Sequence, residues 1–186
     1  MIRNVIFDLD STLTDSLKTI AISRSWLLKK LIQKTFVEPE KLYAELKIQM
    51  SQSIHNYKFI SELKCIKALK TSDQKLIQNI EIEFLMKISN STFLLSGAKK
   101  LIKFLEQEKI NLFLVSNKDA YFAQKTLENL KISNIFLKKY AKKSIYKVDH
   151  KKIQEFSIED KKPSQALIKR IINENNLIEI ETIFIG

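Results

Sequence analysis

Ile6-Phe7-Asp8-Leu9-Asp10-Ser11-Thr12-Leu13, residues 6–13 of a 186-residue chain, is the stretch that decides how the rest is read. The apolar run at residues 2–7 that leads into it is rich in β-branched groups and too short for a helix, so it reads as a buried strand ending at Asp8. Ser11, Thr12, Thr14, Asp15 and Ser16 follow as a polar loop that closes on a helix cap. Two carboxylates two residues apart, just past a buried strand, are costly unless they meet a cation or perform chemistry. One carboxylate can attack phosphorus as a nucleophile, while the other gives a proton to the leaving oxygen and later activates water. A phosphate dianion repels both, so such a site also calls for cations. Taken alone, the pair fits equally a capped turn in which Asp10 and Thr12 only bond backbone N–H groups.

Working outward, residues 16–91 carry a helical pattern. Leu17, Ile20, Leu27, Leu28 and Leu31 recur near the helical period, and Pro39 suits the first turn of a second helix bearing Leu42, Leu46 and Met50. Tyr57, Ile60 and Leu63 mark a third, and Asp73 caps a fourth with Ile77, Ile80, Phe84 and Ile88 as its stripe. The block reads as a small helical bundle, with Trp26 and Phe84 packing it and Cys65 as a small buried hydrophobe. After Gly97 the texture changes. Ala98, Leu101, Ile102 and Leu105 give a helix, and Asn111-Leu-Phe-Leu-Val115 gives a strand ending at Ser116-Asn117. Ala123, Leu127 and Leu130 give another helix, and a short strand is expected at residues 135–137. Residues 138–162 hold nine Lys against four acids, and their pattern determines no structure. Pro163 opens a helix with Leu167, Ile168, Ile171 and Ile172, and residues 182–186 form a last apolar strand. Strands alternating with helices at both ends predict an α/β fold, a Rossmann-like parallel sheet with helices on both faces. In such sheets ligands bind beyond the carboxyl ends of the strands, where Asp8, Asp10, Ser116 and Asn117 stand.

The first stretch resembles the opening motif of the haloacid dehalogenase superfamily, the aspartate-nucleophile phosphohydrolases. Leu112-Phe-Leu-Val-Ser116-Asn117-Lys118 is similar to the second motif, Lys162-Pro163 to the third, and Ile183-Phe-Ile-Gly186 to the fourth as far as its Gly. The helical block falls where phosphoglycolate-phosphatase-like members insert a helical cap. The resemblance implies a HAD-like core at residues 1–15 and 92–186 and a cap at 16–91. It implies that Asp8 is the nucleophile forming an aspartyl-phosphate, and that Asp10 is the general acid and base. Mg²⁺ would sit on Asp8 and on the Asp10 backbone carbonyl. Thr12 would shape the turn, Ser116 and the Asn117 N–H would hold the phosphoryl group, and Lys162, with Lys161 as its rival, would neutralise charge. An Asp at the second acidic position favours a phosphatase or phosphomutase over a dehalogenase. Ser11 stands where relatives usually carry Gly, which calls for a different backbone angle or a tighter turn. The match stops at Gly186, before the acids that complete the metal site, so the chain is expected to be a C-terminally incomplete relative, weakly active or inactive. Asp119 is a conceivable substitute ligand.

Composition narrows the alternatives. One Cys excludes an internal disulfide framework, and no apolar run is long enough to span a bilayer. The strand-like start leaves no signal peptide to be expected, and the expected location is cytoplasmic. The net charge of +11 comes almost wholly from Lys, with Arg only at Arg3, Arg24 and Arg170, which argues against a dedicated nucleic-acid partner. His55 and His150 lack a second ligand at helical spacing and read as surface or cap residues. The expectation is therefore a Mg²⁺-dependent phosphomonoester hydrolase acting on a small phosphorylated metabolite. The alternatives are a catalytically inactive binding or vestigial module and, after it, a polyanion binder working through residues 138–162. Oligomeric state and substrate identity carry no readable signal.

Overall fold

The computed structural model describes residues 1–35, 37–52, 60, 63–67, 71–144, 153–157 and 164–186. They form two compact units, one made of Met1–Lys18 and Thr92–Gly186, the other of Thr19–Ser91.

The first unit is built on a parallel sheet. Its strands are β1 (Asn4–Asp8), β2 (Asn111–Asp119), β3 (Lys138–Lys142), β4 (Gln154–Phe156) and β5 (Thr182–Ile185), in the order β4-β3-β2-β1-β5. Every neighbouring pair is parallel, with Asp8 beside Val115 and Phe7 beside Ile185. Because side chains alternate along a strand, β1, β2 and β3 each feed two cores. Val5, Phe7, Leu112, Leu114 and Ala141 pack with Ala98, Ile102, Ala123 and Leu127. Those four come from two helices, α5 (Ala98–Gln107) and α6 (Ala120–Asn129). On the other face Ile6, Phe113, Val115, Tyr140 and Phe156 pack with Leu167 and Ile171 of α7 (Gln165–Glu174). Helices therefore cover both faces, and the predicted α/β class holds.

The second unit is helical. It contains most of α1 (Ser16–Lys34), then α2 (Pro39–Gln52), α3 (Lys64–Lys67) and α4 (Thr71–Asn90). Leu27, Leu31, Leu42, Ile60, Ile77 and Phe84 belong to its separate core, against which Trp26 packs partly buried. Pro39 opens α2 as its fixed φ allows. The last helix starts at Thr71, two residues before the expected cap at Asp73. No helix among the described residues is long and apolar enough to cross a membrane.

Three boundaries differ from the sequence reading. The strand expected at 135–137 lies instead at Lys138–Lys142, where Tyr140 and Ala141 are buried and Leu137 is exposed. Hydrophobicity misplaced it because the strand is mostly Lys. Lys139 is itself buried and its Nζ donates to the Ser133 carbonyl at 3.0 Å. β2 runs on to Asp119 rather than ending at Ser116-Asn117, with a register shift against β3 between Ser116 and Asp119. α7 is capped by Ser164, whose Oγ accepts the Leu167 N–H at 3.2 Å. Pro163, Lys161 and Lys162 lie outside the described residues, as do Tyr57, His55 and His150.

Candidate active site

Asp8 is the last residue of β1 and Asp10 the second residue beyond it, in a loop that folds back on itself. The Leu13 and Thr14 N–H groups donate to the Leu9 carbonyl at 3.1 and 3.0 Å, and the Thr14 hydroxyl adds a third bond to it at 3.1 Å. The Ser11 N–H donates to Ser16 Oγ at 2.9 Å, and Asp15 Oδ1 accepts the Lys18 N–H at the start of α1. The loop is tight enough to place Ser11 at φ +62°, in the left-handed region. The conformation that favours Gly at this position is thus adopted by Ser, at a cost of about 1 kcal/mol. Thr12, half-buried, is the next residue of the same loop.

The two carboxylates have different environments. Asp8 Oδ1 accepts the Leu9 N–H at 2.6 Å, and the residue opens into a groove of about 890 Å³ beside β5 and α7. Asn117 opens into the same groove, as do Lys169 of α7, Phe184 and Gly186. Gly186 approaches Asp8 so closely that a Cβ there would stand 2.8 Å from the Asp8 Cβ. Asp10 instead forms an ion pair with Lys118, Oδ1 to Nζ 2.9 Å, with side chains 19% and 4% exposed. A buried ammonium is sustained by such a partner. Ser116 is fully buried, and its Oγ accepts the Lys118 N–H at 3.1 Å. Asp8 and Asn117 therefore share a cavity, Asp10 stands on the Lys118 side, and the Ser116 hydroxyl is engaged within its own strand.

Asp119, the conceivable substitute ligand, is committed elsewhere. It caps α6 by accepting the Tyr121 N–H at 3.0 Å, and it accepts the Ser144 hydroxyl at 2.9 Å. Among the described residues no three His, Cys, Asp or Glu side chains gather as a metal cluster. At the end of β1 Asp8 supplies a carboxylate, a hard oxygen donor of the kind Mg²⁺ takes in ones or twos while water and substrate phosphate fill its other positions.

Two residues here were not given roles by the sequence reading. Lys118 sits inside the quoted second motif, and a Lys one residue past Asn117 could have been matched to the acid beyond the neighbouring strand. Lys169 carries no such signal, since it is one of many Lys in the chain and stands on the exposed side of α7.

Comparison with known proteins agrees with this architecture. The family model of haloacid dehalogenase-like hydrolases matches residues 2–186. The chain belongs to that family and is an enzyme of the hydrolase class. Its fold is similar to a crystal structure described as a "predicted phosphoglycolate phosphatase" from Haemophilus somnus 129pt, at TM-score 0.64 and 18% identity over 98% of this chain and 76% of that one. A candidate beta-phosphoglucomutase from Thermotoga maritima matches at TM-score 0.66 and 14% identity, covering 98% and 75% of the two chains. The candidate HAD hydrolase YfnB from Bacillus subtilis, crystallised bound to magnesium, matches at TM-score 0.53 and 20% identity over 75% and 65%. No curated protein matches the sequence closely enough to count as a relative.

Proposed function

We propose that this chain is a phosphomonoester hydrolase acting on a small phosphorylated metabolite, with Asp8 as nucleophile. The observation that carries the reading is the shared groove at the carboxyl end of the sheet, into which Asp8 and Asn117 both open while Asp10 lies two residues on. Asp8 attacks phosphorus and forms an aspartyl-phosphate as the ester oxygen leaves with a proton from Asp10. Asp10 then takes a proton from water, whose oxygen displaces Asp8 and releases inorganic phosphate. Ser116 and the Asn117 backbone N–H hold the phosphoryl group, the Ser116 hydroxyl donating to it while its oxygen accepts the Lys118 N–H. Thr12 shapes the loop. Lys162, named by the motif resemblance, supplies positive charge to Asp8 and the phosphate, with Lys161 as its rival. Mg²⁺ would be held by the Asp8 carboxylate and the Asp10 carbonyl, and when bound it would neutralise charge on the phosphate. The helical unit takes the part of an inserted cap with residues 16–91, on a core of 1–15 and 92–186, and selects the substrate. A cytoplasmic setting belongs to the same proposal.

The intermediate is testable directly. Quenching during turnover, followed by borohydride reduction, converts an acyl-phosphate on Asp8 to homoserine, readable by peptide mass spectrometry. Homoserine at position 8 is the expected result. Reduction at another acid, or none during active turnover, rejects Asp8 as the nucleophile.

A further inference from the structure

We infer that Lys118 is a positioning residue for Asp10 that serves chiefly the water-activating half of the reaction; this inference rests on the phosphatase reading above. Four observations converge on it. Lys118 is 4% exposed, yet its Nζ lies 2.9 Å from Asp10 Oδ1. Its backbone N–H is fixed on Ser116 Oγ, so both ends of the residue are tethered at the strand end. β1 and β2 are parallel with Asp8 opposite Val115, which brings the residues just beyond each into apposition. The register shift between Ser116 and Asp119 then interrupts the regular ladder where Asn117 and Lys118 stand. Such irregularities re-aim side chains near functional sites.

An Asp carboxylate on a loop otherwise turns freely about two bonds. Pairing one oxygen with a buried, tethered ammonium restricts it to few orientations and leaves the second oxygen for another contact. Once Asp10 has given its proton to the leaving oxygen it is a carboxylate, and the second step starts from there, with Lys118 2.9 Å from its Oδ1. There Asp10 takes the proton of water, the water oxygen bonds phosphorus, and the Asp8–phosphorus bond breaks with its electron pair returning to Asp8. Lys118 neither bonds nor protonates anything in this step; it holds Asp10 in place.

The test is pre-steady-state turnover of p-nitrophenyl phosphate, whose leaving group departs without a proton. Lys118→Met is expected to release about one nitrophenolate per site in a burst and then turn over about 100-fold more slowly than wild type, the scale of a lost general base. Asp10→Asn is expected to show the same pattern. Lys118→Ala with added ethylamine serves as a second variant, and partial recovery of the slow phase is expected as the amine fills the vacated position. Thermal melts confirm that each variant is folded. Wild-type turnover by Lys118→Met overturns the inference while leaving the phosphatase reading intact. Loss of burst and turnover together in Lys118→Met, with the burst kept in Asp10→Asn, also overturns it and makes Lys118 a direct phosphate ligand. If the wild-type chain releases no phosphate, the phosphatase reading and the role of Lys118 fall together.

Discussion

At the scale of single residues, charge and backbone strain at one loop do most of the explaining. Asp8 and Asp10 are two residues apart but differ in surroundings: one opens into a groove, the other stands on a buried ammonium. Ser11 pays for the tight return between them by adopting φ +62°. Ser11→Gly is expected to raise stability by about 0.5 kcal/mol, because relief of the left-handed strain exceeds the freedom added to the unfolded chain. A higher urea midpoint at unchanged slope would show it; a lower midpoint would mean that the Ser11 side chain contributes more than its strain costs. Cys65 offers a second check. Burial first, then the nearby Glu45 carboxylate, pushes its thiol up to about 11. At pH 8 only about one thiol in a thousand is then thiolate, so modification by an aromatic disulfide reagent should be slow in buffer and fast in urea. Fast labelling of the folded chain would place Cys65 at the surface.

At the scale of elements, the sheet was legible where apolar runs carry it and hidden where Lys does. β1, β2 and β5 were readable because Ile, Val, Leu and Phe sit in runs between polar loops. β3 was not, because its pattern depends on Tyr140 and Ala141 among Lys side chains, one of which buries its stem and donates to a carbonyl. The acidic dyad stood out because two carboxylates beyond a buried strand are costly, but alone it fitted a capped turn equally, and only the motif order favoured chemistry. The Lys118 partnership was less legible, since spacing does not reveal a contact made across two strands and a register shift. Tyr140 makes the sheet's dependence on α7 measurable. Asn175 Nδ2 just past that helix donates to the Tyr140 hydroxyl oxygen at 2.8 Å, and burial raises the phenol above its ordinary range. The neutral phenol is favoured in the folded state, so its contribution is full below the unfolded value near 10 and is lost as pH rises through the folded one. Tyr140→Phe should cost about 1 kcal/mol at neutral pH and flatten the loss of stability as pH rises above 10, read from denaturation midpoints. An unchanged alkaline slope would mean that Tyr140 does not ionise on unfolding.

At the scale of the whole molecule, an α/β unit carries the chemistry-bearing residues, and a helical unit with its own core is inserted after its first strand. The chain belongs to the haloacid dehalogenase-like hydrolases. β5 stands at one edge of the sheet, and Ile180, Ile183 and Phe184 near it are exposed. Exposed apolar side chains on an edge strand promote association. Ile180→Lys is accordingly expected to reduce self-association in light scattering with no change in melting temperature, and equal scattering would show that the edge is not adhesive. In the proposed reaction Asp8 hydrolyses phosphomonoesters with Mg²⁺. The most direct measurement is phosphate release from phosphoglycolate and an aryl phosphate, with Mg²⁺ and with EDTA, by wild type and Asp8→Asn. The account predicts turnover that EDTA abolishes and that Asp8→Asn lowers at least about 1,000-fold. Turnover retained by folded Asp8→Asn, or none by the folded wild type with Mg²⁺, would contradict it.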